Sequence, residues 1–317
     1  MNKILEIIHG SNLYGLNTPS SDLDIYGIYL ENSEAVFEDY FYNKNSKGRE
    51  LDLSEKVKLP NGKNAPEAID KKFLSFKKYV RLALNCNPNL AEVLYAPKDK
   101  ILFKNKIGER LISLRKDFLS KKAYYTFGSY AKNQQKRAGA SAESFRLLEN
   151  AQNKLETSCE LKKYMGEYEN EGWFKKIFEI HQINYKVIGT NYKIVKHINI
   201  KNAVKEIEKI IGLKTNRKDI ISKFNYDTKM ASHNLRLFYE CEDILLNHKI
   251  TFPILGRDIV MAVKNGEVPL EDVRKMSQEK WEDVEKAFKI SKLPEVPNVE
   301  KIYELVKDVY YDEIFKN

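Results

Sequence analysis

The 317-residue sequence predicts an α+β protein: a small α/β domain with a mixed sheet over residues 1–97, then a larger, mostly helical domain over residues 98–317. Three observations carry this reading. Two short apolar runs, Lys3 to His9 and Leu23 to Leu30, flank the turn-forming stretch Asn17-Thr18-Pro19-Ser20-Ser21. From Leu74 the period changes, with Phe76, Tyr79, Val80, Ala83 and Leu84 recurring at helical spacing. Beyond Ile101 nearly every segment keeps that helical spacing.

Taken in order, Lys3 to His9 reads as a first strand, Ser11 to Leu16 as a helical turn and Leu23 to Leu30 as a second strand. Asn43 to Asn64 is polar and glycine-punctuated, with Leu51 to Leu59 as a hairpin arm. Asn87-Pro88-Asn89 ends the helix that begins near Leu74, and Leu90 to Leu94 starts another. Further helices are expected at Lys106 to Leu114, Lys121 to Ala138, Ala140 to Tyr164, Lys201 to Ile211, Asp227 to Leu246, Pro269 to Phe288 and Val299 to Phe315. Asn184 to Ile200 breaks the pattern and reads as a hairpin turning at Gly189. No internal repeat is present.

The sharpest chemical signal is near the start. Ile7-Ile8-His9-Gly10-Ser11 is followed, eleven residues on, by Ser21-Asp22-Leu23-Asp24-Ile25-Tyr26-Gly27. Side chains alternate along a strand, so Asp22 and Asp24 share one face while Leu23 and Ile25 turn to the core. Asp is disfavoured in strands, and two of them side by side repel unless a cation sits between them. Mg²⁺, which favours carboxylate and phosphate oxygens, suits that place. Gly10 and Ser11 offer bare backbone and a hydroxyl where a phosphate can rest. The bland alternative is a surface turn and a strand with a solvated acidic face. No GxxxxGK[ST] is present, which argues against a P-loop ATPase.

An apolar-Gly-Ser element followed by an Asp-x-Asp strand resembles the active-site motif of the nucleotidyltransferase superfamily that includes DNA polymerase β. The resemblance implies a third carboxylate on an adjacent strand. Asp70 is the first candidate, because Ile69-Asp70 leads from a strand-like run into the helix bearing Arg81; Glu67 and Asp52 follow. An N-cap is the alternative role for Asp70. The resemblance also implies two Mg²⁺ ions, with Mn²⁺ as an alternative, on Asp22, Asp24 and Asp70.

Further blocks narrow the resemblance. Lys78-Tyr79-Val80-Arg81-Leu82-Ala83-Leu84, Asn87-Pro88-Asn89 and Glu92-Val93-Leu94 come first. Phe127-Gly128-Ser129-Tyr130-Ala131 with Gln134-Gln135, and Tyr226-Asp227 with Lys229, Ala231, His233 and Arg236-Leu237, follow in order. Together they resemble the RlaP type (RNA-ligase-associated, also called the YcgL type) of nucleotidyltransferase. The likeness runs from residue 4 to about residue 275. Residues 155–224 fit poorly and read as an insertion, and Phe238-Tyr239 stand where smaller aliphatic residues are expected.

Lys229, His233 and Arg236 fall on one helical face at i, i+4 and i+7. With the family likeness this face becomes a clamp for a triphosphate or phosphodiester; without it, a face paired with acids such as Glu240 or Asp243. Tyr130 and Gln134, a helical turn apart, are candidates to stack on and hydrogen-bond a base.

Net charge is +9. Lys100 to Arg137 holds eleven cationic residues against Glu109 and Asp117 alone, which suits RNA or DNA as a partner; a solvated Lys-rich helix face is the plain alternative. Cys86, Cys159 and Cys241 are far apart and read as reduced thiols, and no apolar stretch approaches membrane length, so a cytoplasmic protein without membrane contact is expected. The expected activity is transfer of a nucleoside monophosphate from an NTP to a hydroxyl, with an RNA end, tRNA-like, as the favoured acceptor. A protein or small-molecule acceptor is the second reading, and a non-catalytic RNA-binding module the third. The sequence does not disclose oligomeric state.

Overall fold

The computed structural model describes residues 1–41, 48–55, 67–128, 130–132, 142–158, 162–188, 193–212 and 218–315. Its α+β class is the expected one. The chain divides into two compact units: Met1–Tyr130 with Leu235–Met261 and Ser277–Asn317, and Ala131–Asn234 with Ala262–Met276.

The first unit is built on a five-stranded mixed sheet. Its strands are β1 (Asn2–Ile8), β2 (Leu23–Leu30), β3 (Glu50–Asp52), β4 (Ile69–Ser75) and β5 (Ile101–Lys104), in the order β3-β4-β2-β1-β5. Only β2 and β4 run parallel; the other neighbours are antiparallel. A parallel pair needs a crossover, and helix α2 (Ser33–Phe41) lies within it. The short helix α1 (Gly10–Tyr14) joins β1 to β2 and is stopped by Gly15 in the left-handed conformation (φ 73°). Helix α3 (Phe76–Ala83) follows β4 directly, capped by the buried Ser75, whose hydroxyl accepts the Lys78 N–H. It buries Phe76, Tyr79, Val80 and Ala83, the stripe seen in the sequence. Pro88 opens helix α4 (Pro88–Ala91), where a missing N–H costs nothing, and a 3₁₀ turn at Glu92–Tyr95 continues it.

Several expectations change here. Ile101–Lys104, ahead of the helix expected from Lys106, is the edge strand β5, paired with β1; four residues are too few to show a period in the sequence. Helix α5 (Lys106–Ser113) follows, but the single helix expected over Lys121 to Ala138 is interrupted by a π-helical turn at Tyr124–Gly128. Leu51 lies in β3, which pairs antiparallel with β4, and residues 56–59 of the expected arm lie outside the described residues. No helix among the described residues is long and apolar enough to cross a membrane.

The second unit has its own core. Helices α6 (Ala142–Ser158), α7 (Gly172–Ile177) and α8 (Ile200–Gly212) enclose a three-stranded antiparallel sheet, β6 (Phe178–Ile180), β7 (Asn184–Val187) and β8 (Lys193–Val195). Leu148, Leu155, Phe174, Phe178, Tyr185, Ile194 and Ile207 bury against one another there. The hairpin expected after Asn184 is β7–β8; Gly189 lies outside the described residues. Helix α9 (Lys218–Phe224) leads to the long helix α10 (Thr228–Asn247), and α11 (Arg257–Asn265), α12 (Leu270–Ile290) and α13 (Val299–Phe315) complete the chain.

Candidate active site

The parallel pairing of β2 with β4 brings the acids together. In its register Asp24 stands opposite Asp70. Partners in a parallel ladder project to the same side of the sheet, so the two carboxylates share a face. The same alternation puts Tyr26 with Lys72, then Ile28 with Leu74, further along that face, so the acids lie at the strand ends and the core lies behind them. Asp22 sits immediately before β2, its carbonyl held by the Asn12 amide at 3.2 Å.

Gly10 is fitted to this corner twice over. Its φ of 59° is left-handed, and a Cβ there would overlap the Asp24 carboxylate, whose Cγ is 2.6 Å from that position. The His9 N–H donates to the Asp24 carbonyl at 2.8 Å, tying the end of β1 to the start of β2. Gly10-Ser11 therefore lies directly against Asp24.

Asp70 has a neighbour that the sequence pattern does not announce. The Ser54 hydroxyl donates to Asp70 at 2.9 Å, also touches Asp52, and accepts the Lys71 N–H at 3.0 Å. Lys72 Nζ lies 4.0 Å from the same carboxylate. Asp52, an alternative third acid, is thus linked to Asp70 through one hydroxyl, while Glu67 is exposed. Hard oxygen donors on one face suit Mg²⁺ in kind. Among the described residues no three metal-ligating side chains are drawn into one cluster.

Beneath the Gly10-Ser11 corner is a buried charged cluster. Arg236 on α10 donates to Glu92 and to Glu240, each at 2.7 Å, and its guanidinium lies 3.8 Å from the centre of the Tyr14 ring. The Tyr14 hydroxyl donates to Glu92 at 2.6 Å, and His9 Nε2 is 3.2 Å from the same carboxylate. Burial would raise the Glu92 carboxyl, but Arg236, His9 and Tyr14 outweigh it and hold Glu92 well below the usual range. Glu240 goes the other way: burial and the Glu92 charge push it well up against the pull of Arg236. One guanidinium serves two carboxyls, which are driven in opposite directions.

The clamp expected from Lys229, His233 and Arg236 changes in consequence. Along α10 Lys229 is exposed, His233 half-buried and Arg236 only 2% exposed. At Arg236 the acid pairing of the alternative reading is present, with Glu92 and Glu240 as its partners. A Glu flanked by Ala91 and Val93 was the available signal for the buried partner, Glu92. Tyr130 is 46% exposed, and Gln134 lies outside the described residues. Within the basic run, Lys104 meets Glu109, Arg110 meets Asp308 and Lys121 meets Glu295, so part of that charge is answered by acids, two of them distant in sequence.

An uncharacterized 38.9 kDa protein from the nrdC-mobD intergenic region of Enterobacteria phage T4 is 20% identical over 315 residues, 90% of each chain. An uncharacterized protein of Methanocaldococcus jannaschii is 32% identical over 135 residues, 42% of this chain and 49% of that one. The crystal structure of a nucleotidyltransferase-like protein from Exiguobacterium sibiricum aligns with 97% of this chain and 74% of its own, at 7% identity and a TM-score of 0.25, too weak a likeness to bear on the site. Residues 2–165, just over half the chain and all of the Gly10, Asp22, Asp24 and Asp70 corner, match the RNA repair pathway DNA polymerase beta family, RlaP, and the chain belongs to that family.

Proposed function

We propose that this protein transfers a nucleoside monophosphate from an NTP to a hydroxyl on an RNA end, releasing pyrophosphate. The observation that carries the reading is the register that sets Asp24 opposite Asp70 with Gly10 packed against Asp24. The acceptor oxygen attacks the α-phosphorus, the bond from that phosphorus to the pyrophosphate oxygen breaks, and the hydroxyl proton passes to Asp70. Mg²⁺ held by Asp22, Asp24 and Asp70 would neutralise phosphate charge and make the acceptor hydroxyl easier to deprotonate.

The chain's own groups divide the remaining work. The Gly10 and Ser11 backbone, with the Ser11 hydroxyl, holds the β- and γ-phosphates where leaving-group charge develops. Ser54 orients Asp70, and Lys72 places positive charge beside it. Tyr130 stacks on the base. Incubation with labelled NTPs, Mg²⁺ and RNA should yield labelled RNA and pyrophosphate. Pyrophosphate release that persists in Asp22→Ala/Asp24→Ala protein would refute this site.

A further inference from the structure

The second unit carries almost all of the chain's excess charge. It holds 23 Lys and Arg against 15 Asp and Glu, a net +8, whereas the first unit holds 31 against 30. The unit built on the sheet is thus close to neutral as a whole, and the net excess lies on a separate module with its own core.

That module has an open cleft of about 530 Å³ between α6 and α7. Leu147 and Trp173 give it an apolar wall, the Asn150 and Asn153 amides line it, and Lys154 and Lys176 bring cations to it. The Trp173 indole is braced by Tyr168 and Phe174, with ring centres 5.5 and 5.6 Å away, yet is not itself fully buried. Among the described residues neither lysine has an ion pair and neither amide side chain has a hydrogen-bond partner. A braced aromatic surface, amide donors and acceptors, and two unanswered ammonium groups are what a base and its flanking phosphates require. An acidic peptide would use the charges but not the planar ring.

We propose that this cleft binds single-stranded RNA, one base stacking on Trp173 while the adjacent phosphates pair with Lys154 and Lys176. The site deepens the acceptor reading above, and rests on it for the choice of RNA, but needs neither metal nor nucleotide. Its binding can therefore be measured apart from transfer.

The test is fluorescence anisotropy of a short labelled single-stranded RNA with the full chain, without Mg²⁺ or NTP. Trp173→Ala should weaken binding about tenfold or more, and Trp173→Phe should restore most of it. Lys154→Gln/Lys176→Gln, two exposed substitutions that leave the core intact, should lower the salt slope by about 1.4, ~0.7 for each phosphate no longer neutralised. Asp22→Ala/Asp24→Ala should bind RNA as the native chain does, so a failed transfer reading leaves this result standing. Unchanged RNA affinity in both the Trp173 and the paired lysine variants would overturn the proposal. So would equal affinity for duplex RNA, whose bases cannot reach an aromatic platform.

Discussion

Arg236 and Glu92 lie 144 positions apart in sequence and meet at 2.7 Å in the core of the first unit. Both are essentially inaccessible to solvent, and Tyr14 covers the guanidinium. The pair joins three elements that sequence separates: α10, the 3₁₀ turn after α4, and the loop from β1 into α1. Because His9 also approaches Glu92, the backbone that carries Gly10-Ser11 is tied from beneath to a buried carboxylate.

Arg236→Met should therefore destabilise the protein by about 3–5 kcal/mol, since it strands a buried carboxylate. Arg236→Lys should recover part of the loss. Urea unfolding followed by circular dichroism reads both. A cost below about 1 kcal/mol for Arg236→Met would show that the cluster does not anchor the loop.

The two carboxyls of the cluster give stability opposite slopes with pH. Glu92, held low, contributes stability fully above the unfolded carboxylate value of about 4.3 and loses it as pH falls below. Glu240, pushed high, keeps in the folded state a proton that the unfolded chain releases, so it lowers stability as pH rises above about 4.3 until its folded value is passed. Glu240→Gln removes the second slope alone. Its stability relative to the native chain should be greater at about pH 8 than at about pH 4, measured by urea midpoints. A difference independent of pH would mean that Glu240 is ionised throughout.

Local pattern accounts for some of these features and not for others. Leu23–Leu30 is readable to the residue because its apolar run ends in polar turns on both sides. The facing of Asp24 and Asp70 can be inferred once Ile69-Asp70 is taken as a neighbouring strand, since period two then fixes the face. Arg236 is different: a helical wheel shows which residues align but not which side is buried, and its partner Glu92 lies far away in sequence. Ser54 leaves no trace, because a lone Ser before a polar loop carries no pattern. The strand Ile101–Lys104 is an edge element whose pairing depends on β1, beyond any local signal.

Gly10→Ala tests the corner itself. The added methyl meets the Asp24 carboxylate, and an L-residue at φ 59° costs about 1–2 kcal/mol. The expected outcome is a modest loss of stability with transfer nearly abolished, whereas Ser11→Ala leaves stability unchanged and raises the KM for NTP. Native turnover in Gly10→Ala would separate the corner from catalysis.

Ser54→Ala leaves Asp70 without its hydroxyl donor. Activity should fall about 10- to 100-fold, the usual effect of removing a group that orients a ligating carboxylate. The loss should appear in kcat more than in the KM for NTP, because Ser54 faces Asp70 and not the Gly10-Ser11 corner. Steady-state kinetics decide it: a pure KM effect would place Ser54 at the nucleotide.

The most direct measurement is single-turnover transfer from α-labelled NTP to RNA, comparing the native chain with Asp24→Asn and Asp70→Asn. Each substitution keeps the shape of the corner and removes one charge from the facing pair. The native chain should give labelled RNA with equimolar pyrophosphate. Both variants should lose about a thousandfold or more in rate, ~4 kcal/mol of transition-state stabilisation, while circular dichroism is unchanged. Labelled RNA formed at the native rate by either variant would contradict a site built on the facing of Asp24 and Asp70.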